Sequence, residues 1–416
     1  MRAADEEAEE IPGAESICLE RRDKLVKITV AIDSFKGSIT SVQAGEAVRR
    51  GIRRADPDVQ VTVRPLADGG EGTVESLIAG MGGSRQQVTV SGPLGKTVTC
   101  GYGVLEKDGK ARTAIIEMAS AAGITLVPPE KRNPMETTTY GVGEMIRDAI
   151  QKGCRNFLIG IGGSATNDGG IGMLQALGFG FLDKDGKPVP AGACGLEKLE
   201  RITDDTVMPE LLECRFRVAC DVANPLCGDQ GCSAVFGPQK GADPEIIRYM
   251  DQWMARYAQL AKTVCPDADG NQPGSGAAGG LGFAFRTFLN ASLEPGIQIV
   301  IEETGLEEEI RDADLVITGE GKLDAQTVMG KAPAGVAGLA KKYGKPVIAF
   351  CGAVGEGADR CNAHGIDAYF PIVRGVTTLE EAMNPERAAK NLADTAEQVY
   401  RLIGAASVLS HCLSDK

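Results

Sequence analysis

Hydrophobic and polar positions along the chain follow two periods, and their alternation predicts most of the architecture. The run KITVAID from Lys27 is apolar almost throughout, as expected of a strand covered on both faces. It leads into SITSVQAGEAVRRGIRRA, which reads as a helix with Ser41 as its N-cap. DVQVTVRPL then reads as a strand and TVESLIAGM as a helix. The same grammar returns towards the C-terminus. There DADLVITGEG is a strand passing into a loop, GKAPAGVAGLAKKYG a helix, and KPVIAFCGAV and DAYFPIV two strands. The tail NPERAAKNLADTAEQVYRLIGAAS is an amphipathic helix with a proline near its start. Strands separated by helices imply a parallel sheet with helices on both faces.

The middle of the chain breaks this pattern. VTVSGPLGKTVTCGYGVLEKDGKARTAIIEMA shows period-two alternation with a DG turn, which predicts an antiparallel ribbon. The expected layout is therefore an α/β protein of two domains. A parallel-sheet domain is built from both ends of the chain, residues 26–87 and 295–416, and an α/β domain of residues 88–294 is inserted between them. Residues 1–25 are acidic, lack a sustained apolar face, and read as a disordered leader without the basic start of a secretion signal.

Composition narrows the function classes. A net charge of −13 argues against a general nucleic-acid or anionic-membrane binder, and no apolar run reaches the length of a membrane span. The 12 cysteines are scattered without a C-x-x-C pair or a nearby histidine, so they read as reduced thiols in a cytoplasmic protein. The only 2 histidines, His364 and His411, lie late in polar surroundings, so proton transfer falls to Asp, Glu or Lys.

Candidate chemistry gathers in glycine-rich loops at predicted strand ends. Gly95-Lys96-Thr97 resembles the end of a Walker A loop, but position 90 is Val and strands flank it, which makes it a hairpin turn. In FLIGIGGSATNDGGIG, Gly160, Gly162 and Ala165 fit a loose dinucleotide fingerprint, with Asp183 at the ribose spacing. Asn167 and Asp168 interrupt that fingerprint, because a carboxylate there would face the pyrophosphate. A phosphate loop with a metal between phosphate and Asp168 accommodates them, since magnesium is bound by carboxylates, water and phosphates together. Asp33-Ser34-Phe35-Lys36, Asp68-Gly69-Gly70-Glu71 and Glu320-Gly321-Lys322-Leu323-Asp324 each follow a predicted strand, which suggests one shared crevice. Asp221 with Asn224, Lys240, and the run Gly274–Gly282 supply further candidates in the insert. Many glycines and aspartates with lysines and almost no histidine suit phosphoryl transfer. An NAD-dependent oxidoreductase using Gly160, Gly162 and Asp183, and a non-catalytic sensor of a small acid, remain the alternatives.

At this point AIDSFKGSI, PLADGGEGT, IGGSATNDGG, CDVANPLCG, VFGPQKGA, GAAGGLG and ITGEGKLDAQT, in this order, resemble the type I glycerate kinase family from about Lys27 to the last helix. The resemblance implies a flavodoxin-like domain built from both chain ends and an insert whose topology resembles restriction enzymes. It implies a cytoplasmic enzyme, monomer or homodimer, that phosphorylates D-glycerate with ATP and Mg²⁺ to 2-phosphoglycerate or 3-phosphoglycerate, with no nucleic-acid or membrane partner. The expected roles follow. Gly162, Gly163, Ser164, Asn167, Gly169, Gly279 and Gly280 donate to ATP phosphates. Asp168 and Asp221 hold Mg²⁺. Asp68, or else Asp33, accepts the hydroxyl proton, and Lys36 and Asp221 complete the catalytic set. Ser34, Glu71, Asn224, Lys240, Glu320 and Asp324 hold the substrate.

Overall fold

A computed structural model describes residues 25–67, 72–106 and 111–414, with side chains to residue 406. The leader expected over residues 1–25 lies outside the described residues but for Leu25, and so do Asp68 and Glu71. In chain order the strands are β1 (Lys27–Ile32), β2 (Gln60–Pro65), β3 (Ser84–Ser91), β4 (Thr97–Leu105), β5 (Arg112–Glu117), β6 (Cys154–Gly160) and β7 (Gly180–Leu182). Then come β8 (Arg201–Thr203), β9 (Arg215–Ala219), β10 (Ser292–Glu294), β11 (Leu315–Leu323), β12 (Val347–Val354) and β13 (Ala368–Pro371).

The two ends of the chain meet in one five-stranded sheet, ordered β13-β12-β11-β1-β2. Every pairing in it is parallel. Read by position, this is the doubly wound order of the flavodoxin-like folds, whose order reverses between β1 and β11. The inserted sheet, β10-β9-β6-β5-β4-β3, is mixed. β3, β4 and β5 form the antiparallel ribbon, and β5, β6, β9 and β10 run parallel. The Gly95-Lys96 segment is the β3–β4 turn: Gly92 N–H donates to Lys96 O and Gly95 takes φ +74°.

Local chemistry departs from expectation in two places. The helix Ser41–Ala55 is capped by Thr40, not Ser41, because Thr40 and Gln43 form a capping box. That box stabilises the helix by about 1 kcal/mol, and it frees the Ser41 hydroxyl to meet Ser76 Oγ at 2.7 Å. The GEGKL segment is not a loop. β11 runs on through it to Leu323 because β12 keeps pairing alongside, up to Leu323 opposite Val354.

Apolar burial fastens the two sheets together. Leu105, Ile115, Leu158 and Ala219 of the mixed sheet share one buried cluster with Ala31, Val316 and Ala349 of the parallel sheet. Val74, Leu77 and Val300, from two intervening helices, complete it. The register aligns Glu117 with Gly160 and Gly160 with Ala219, so three parallel strands of the insert end on one line.

Candidate active site

Three cavities adjoin the carboxyl ends of the parallel strands, and Lys36 lines all of them. The turn that presents Lys36 is built locally. Phe35 N–H donates to Ile39 O and Ile39 N–H donates back to Phe35 O. Gly37 supplies the left-handed residue, φ +78°, that closes so short a loop. Phe35 and Ile39 are buried as anchors, while Lys36 stands exposed between them.

The first cavity, about 750 Å³, opens where the strand order reverses, between the ends of β1 and β11. Asp33, Ser34, Glu320 and Asp324 line it with Lys36, Lys322 and Lys331. Asp33 is buried and receives the Ser34 N–H at 2.7 Å on Oδ1. Glu320 is buried too. It accepts the Thr327 hydroxyl at 2.6 Å and lies 3.8 Å from Lys331 Nζ. Desolvation pushes its carboxyl above the usual value, against the pull of Thr327 and then of Lys331 and Lys36. Asp324 is held low by the Gln326 N–H and by Lys322, whose ammonium lies 3.1 Å away.

The second cavity, about 700 Å³, lies on the insert. Gly162, Gly163 and Ser164 line it from the end of β6, and Asp221 from the end of β9. Backbone bonds tie the β6 loop to its neighbour: Ile124 N–H donates to Gly163 O, and Ala165 N–H to Ala122 O. Asp221 Oδ1 receives the Gly296 N–H at 3.0 Å, which pins the β9 loop to the helix Gly296–Thr304. The third cavity, about 420 Å³, is of mixed character. Asp33, Ser34 and Lys36 line it together with Arg85, Glu117 and Ser120. Glu117 and Ser120 also border the second cavity, so the three spaces share a junction around Lys36.

The remaining motif residues are not at this junction. Asp168, the expected metal ligand, is fully buried. Its Oδ2 accepts the Thr139 N–H and hydroxyl at 2.8 and 2.9 Å, and its Oδ1 accepts the Gly170 N–H at 3.0 Å. It organises its own loop, and burial still raises its carboxyl above the ordinary value despite these donors. Asn167 is equally buried and donates to Ser233 Oγ at 2.9 Å. Gly169, Gly279 and Gly280, expected to cradle phosphate, instead let two backbones touch. Gly169 N–H donates to Gly279 O at 2.9 Å, and a Cβ on Gly279 would run into the Thr166 carbonyl. Asn224 donates to Gln230 O within its own loop. None of these six residues lines the three cavities.

Lys240 is intermediate. It borders the second cavity yet is only 2% exposed, with Nζ donating to Thr166 O at 2.6 Å. Asp183 closes a tight turn, accepting the Asp185 and Lys187 N–H groups, so the ribose contact of the dinucleotide reading is spent there. Sequence reasoning missed Glu117, Arg85 and Lys331. Glu117 carried a signal, an acid ending the apolar run TAII. Arg85 and Lys331 carried none, since each sits in an ordinary polar segment.

Among the described residues the donor set does not form a metal cage. With Asp168 turned inward, the Asp168–Asp221 pair is lost as a ligand pair. Among the described residues no group of three or more His, Cys, Asp or Glu could hold a metal ion. The ten described cysteines are free. Among the described residues no helix is long and apolar enough to cross a membrane.

Comparisons with known proteins identify the family and the fold. The model of the glycerate kinase family matches residues 28–404. A glycerate kinase of Halalkalibacterium halodurans is 46% identical over 371 residues, 88% of this chain and 97% of that protein. The glycerate 2-kinase of Escherichia coli K12 is 46% identical over 375 residues, 89% of this chain and 98% of its own length. A crystal structure from Salmonella typhimurium LT2, assigned as a glycerate kinase 2, superposes with a TM-score of 0.83 at 45% identity, covering 92% of this chain and all of that one. With the motifs in order, two sheets of the expected kinds and a polar junction at their strand ends, the chain is a kinase that belongs to the glycerate kinase family.

Proposed function

We propose that this enzyme transfers the γ-phosphoryl group of ATP to a hydroxyl of D-glycerate, in the junction around Lys36. The observation that carries the reading is that Lys36 borders all three cavities, so one ammonium reaches donor, acceptor and transferred group alike. In the reaction the glycerate hydroxyl oxygen bonds to the γ-phosphorus as the bond to the β-phosphate oxygen breaks. The hydroxyl proton passes to a carboxylate, and ADP leaves. Asp33, at the junction, takes that proton. Gly162, Gly163 and Ser164 offer backbone donors to the phosphates, and Lys36 neutralises the charge spread over the transferring group. The third cavity suits glycerate, with Arg85 for its carboxylate and Ser34 and Ser120 for its hydroxyls. ATP arrives with its magnesium held by phosphate oxygens and water. The E. coli relative is named a glycerate 2-kinase, and by that likeness the product is 2-phosphoglycerate, with the 3-phosphate as the alternative. The product joins central carbon metabolism in the cytoplasm. A coupled ADP-release assay with Mg·ATP and D-glycerate tests the reading, and phosphorus NMR of the product identifies the hydroxyl. Folded protein that releases no ADP with D-glycerate overturns it.

Lys240 adds a pH dependence. Burial lowers its ammonium from 10.5 to about 8, against the opposing pull of Cys232 and Asp168. Below about 8 the group is charged and clamps the Thr166 carbonyl of the loop that ends at the second cavity; above it the clamp is a neutral amine. The catalytic efficiency kcat/KM is therefore expected to fall as pH rises through about 8. Stability moves the other way. The unfolded lysine keeps its proton towards 10.5, so between about 8 and 10.5 the unfolded chain binds more protons and the cost of burying the charge is relieved. An alkaline limb still present in Lys240→Met would assign it to another group.

A further inference from the structure

The turn that carries Lys36 is held from two sides, and only one of them is local in sequence. On the chain side it runs straight into the helix Ser41–Ala55, whose N-cap is Thr40. On the other side stands Met383, the last residue of the short helix Leu379–Met383, more than three hundred residues further along the chain. Its terminal methyl carbon, Cε, lies 2.9 Å from the place a Cβ on Gly37 would take, so the side chain rests on the apex of the turn. Gly37 therefore meets two demands at once, the left-handed φ of +78° and room for Met383. Met383 borders the first cavity beside Phe35, Lys36 and Ser38.

The base from which Met383 projects is firm. Asn384 follows directly, and its Oδ1 accepts the Arg387 N–H at 3.0 Å at the start of the long helix Pro385–Ser414. Glu381, two residues before Met383, is tied to that helix by Arg387 at 3.1 Å. The long helix lies along Ser41–Ala55. Ala388, Leu392 and Ala396 share one buried cluster with Ala44, Ala47 and Val48. A Cβ on Gly51 would strike the Ala393 carbonyl, and the Tyr400 hydroxyl donates to Asp56 at 2.8 Å. One helix pair thus carries both the Lys36 turn and the side chain that rests on it, which fixes their separation. A thioether methyl holds by dispersion alone. It steadies the backbone without placing a charge or a competing acceptor beside the ammonium.

We propose that Met383 is a positioning residue for phosphoryl transfer: it braces the Gly37 apex and through it aims the Lys36 ammonium at the junction. The proposal rests on the kinase reading above and deepens it, since Met383 acts only through Lys36.

The test is a double-mutant cycle in steady-state kinetics with Mg·ATP and D-glycerate. Met383 is half-buried, so Met383→Ala is expected to fold. It should lower kcat about 10-fold while both KM values move less than about 2-fold, as loss of alignment without loss of binding does. Met383→Leu keeps an apolar side chain of similar volume and should recover most of the rate. In the Lys36→Met background no ammonium is left to aim. There Met383→Ala should change kcat by less than about 2-fold, read at higher enzyme concentration. A kcat at the parent's level in Met383→Ala, or the full loss repeated in the Lys36→Met background, overturns the positioning role and leaves the kinase reading standing. A folded parent that releases no ADP overturns both.

Discussion

Lys36→Met is expected to lower kcat by about 10²–10³-fold, a loss of about 3–4 kcal/mol of transition-state stabilisation. The structural reason is where the turn puts the ammonium. Lys36 is exposed on a five-residue loop whose ends, Phe35 and Ile39, are buried and bonded to each other, so removing the charge leaves the loop standing. The unfolding midpoint should stay within error of the parent, which separates loss of chemistry from loss of fold. Methionine keeps the length and apolar stem of lysine, so the effect reads the charge alone. ADP release at a rate close to the parent's would take Lys36 out of the junction's chemistry.

Asp168→Asn should act chiefly on stability, by about 2–4 kcal/mol, and only through that on catalysis. Both carboxylate oxygens of Asp168 accept backbone N–H groups, Thr139 on one and Gly170 on the other. An asparagine amide must therefore turn its NH₂ against one of those donors, whichever way it is flipped, in a site with no water access. The loop it braces ends in Gly162–Ser164, so activity should fall together with the denaturation midpoint. The magnesium concentration for half-maximal activity should not move. A variant of unchanged stability with a raised magnesium requirement would restore Asp168 to the metal.

Much of the site was legible in the sequence because its signals are local. Lys36 and Asp33 follow directly on an apolar strand, and Gly162 and Gly163 follow another, so the end-of-strand rule found them without any tertiary information. Asp168 was misread for an equally local reason. A carboxylate among glycines looks the same in sequence whether it faces a metal or its own backbone. Thr139, which decides the matter, comes from a different segment. The glycines of GAAGGLG misled in the same way. Positive φ and a need for no side chain are legible, but whether the space is kept for phosphate or for the Thr166 carbonyl is not.

By itself the sequence determined the two kinds of sheet, the hairpin at Gly95, the joining of both chain ends in one parallel sheet and the family, because hydrophobic period, turn residues and ordered motifs are properties of short segments. Tertiary structure alone decided which motif residues meet. It drew Lys36, Glu117, Arg85, Gly162 and Asp221 to a shared junction and turned Asn167, Asp168, Gly279 and Gly280 inward. Packing of segments far apart in the chain makes that choice, since a polar group either reaches the cleft or finds its partner in a backbone pressed against it.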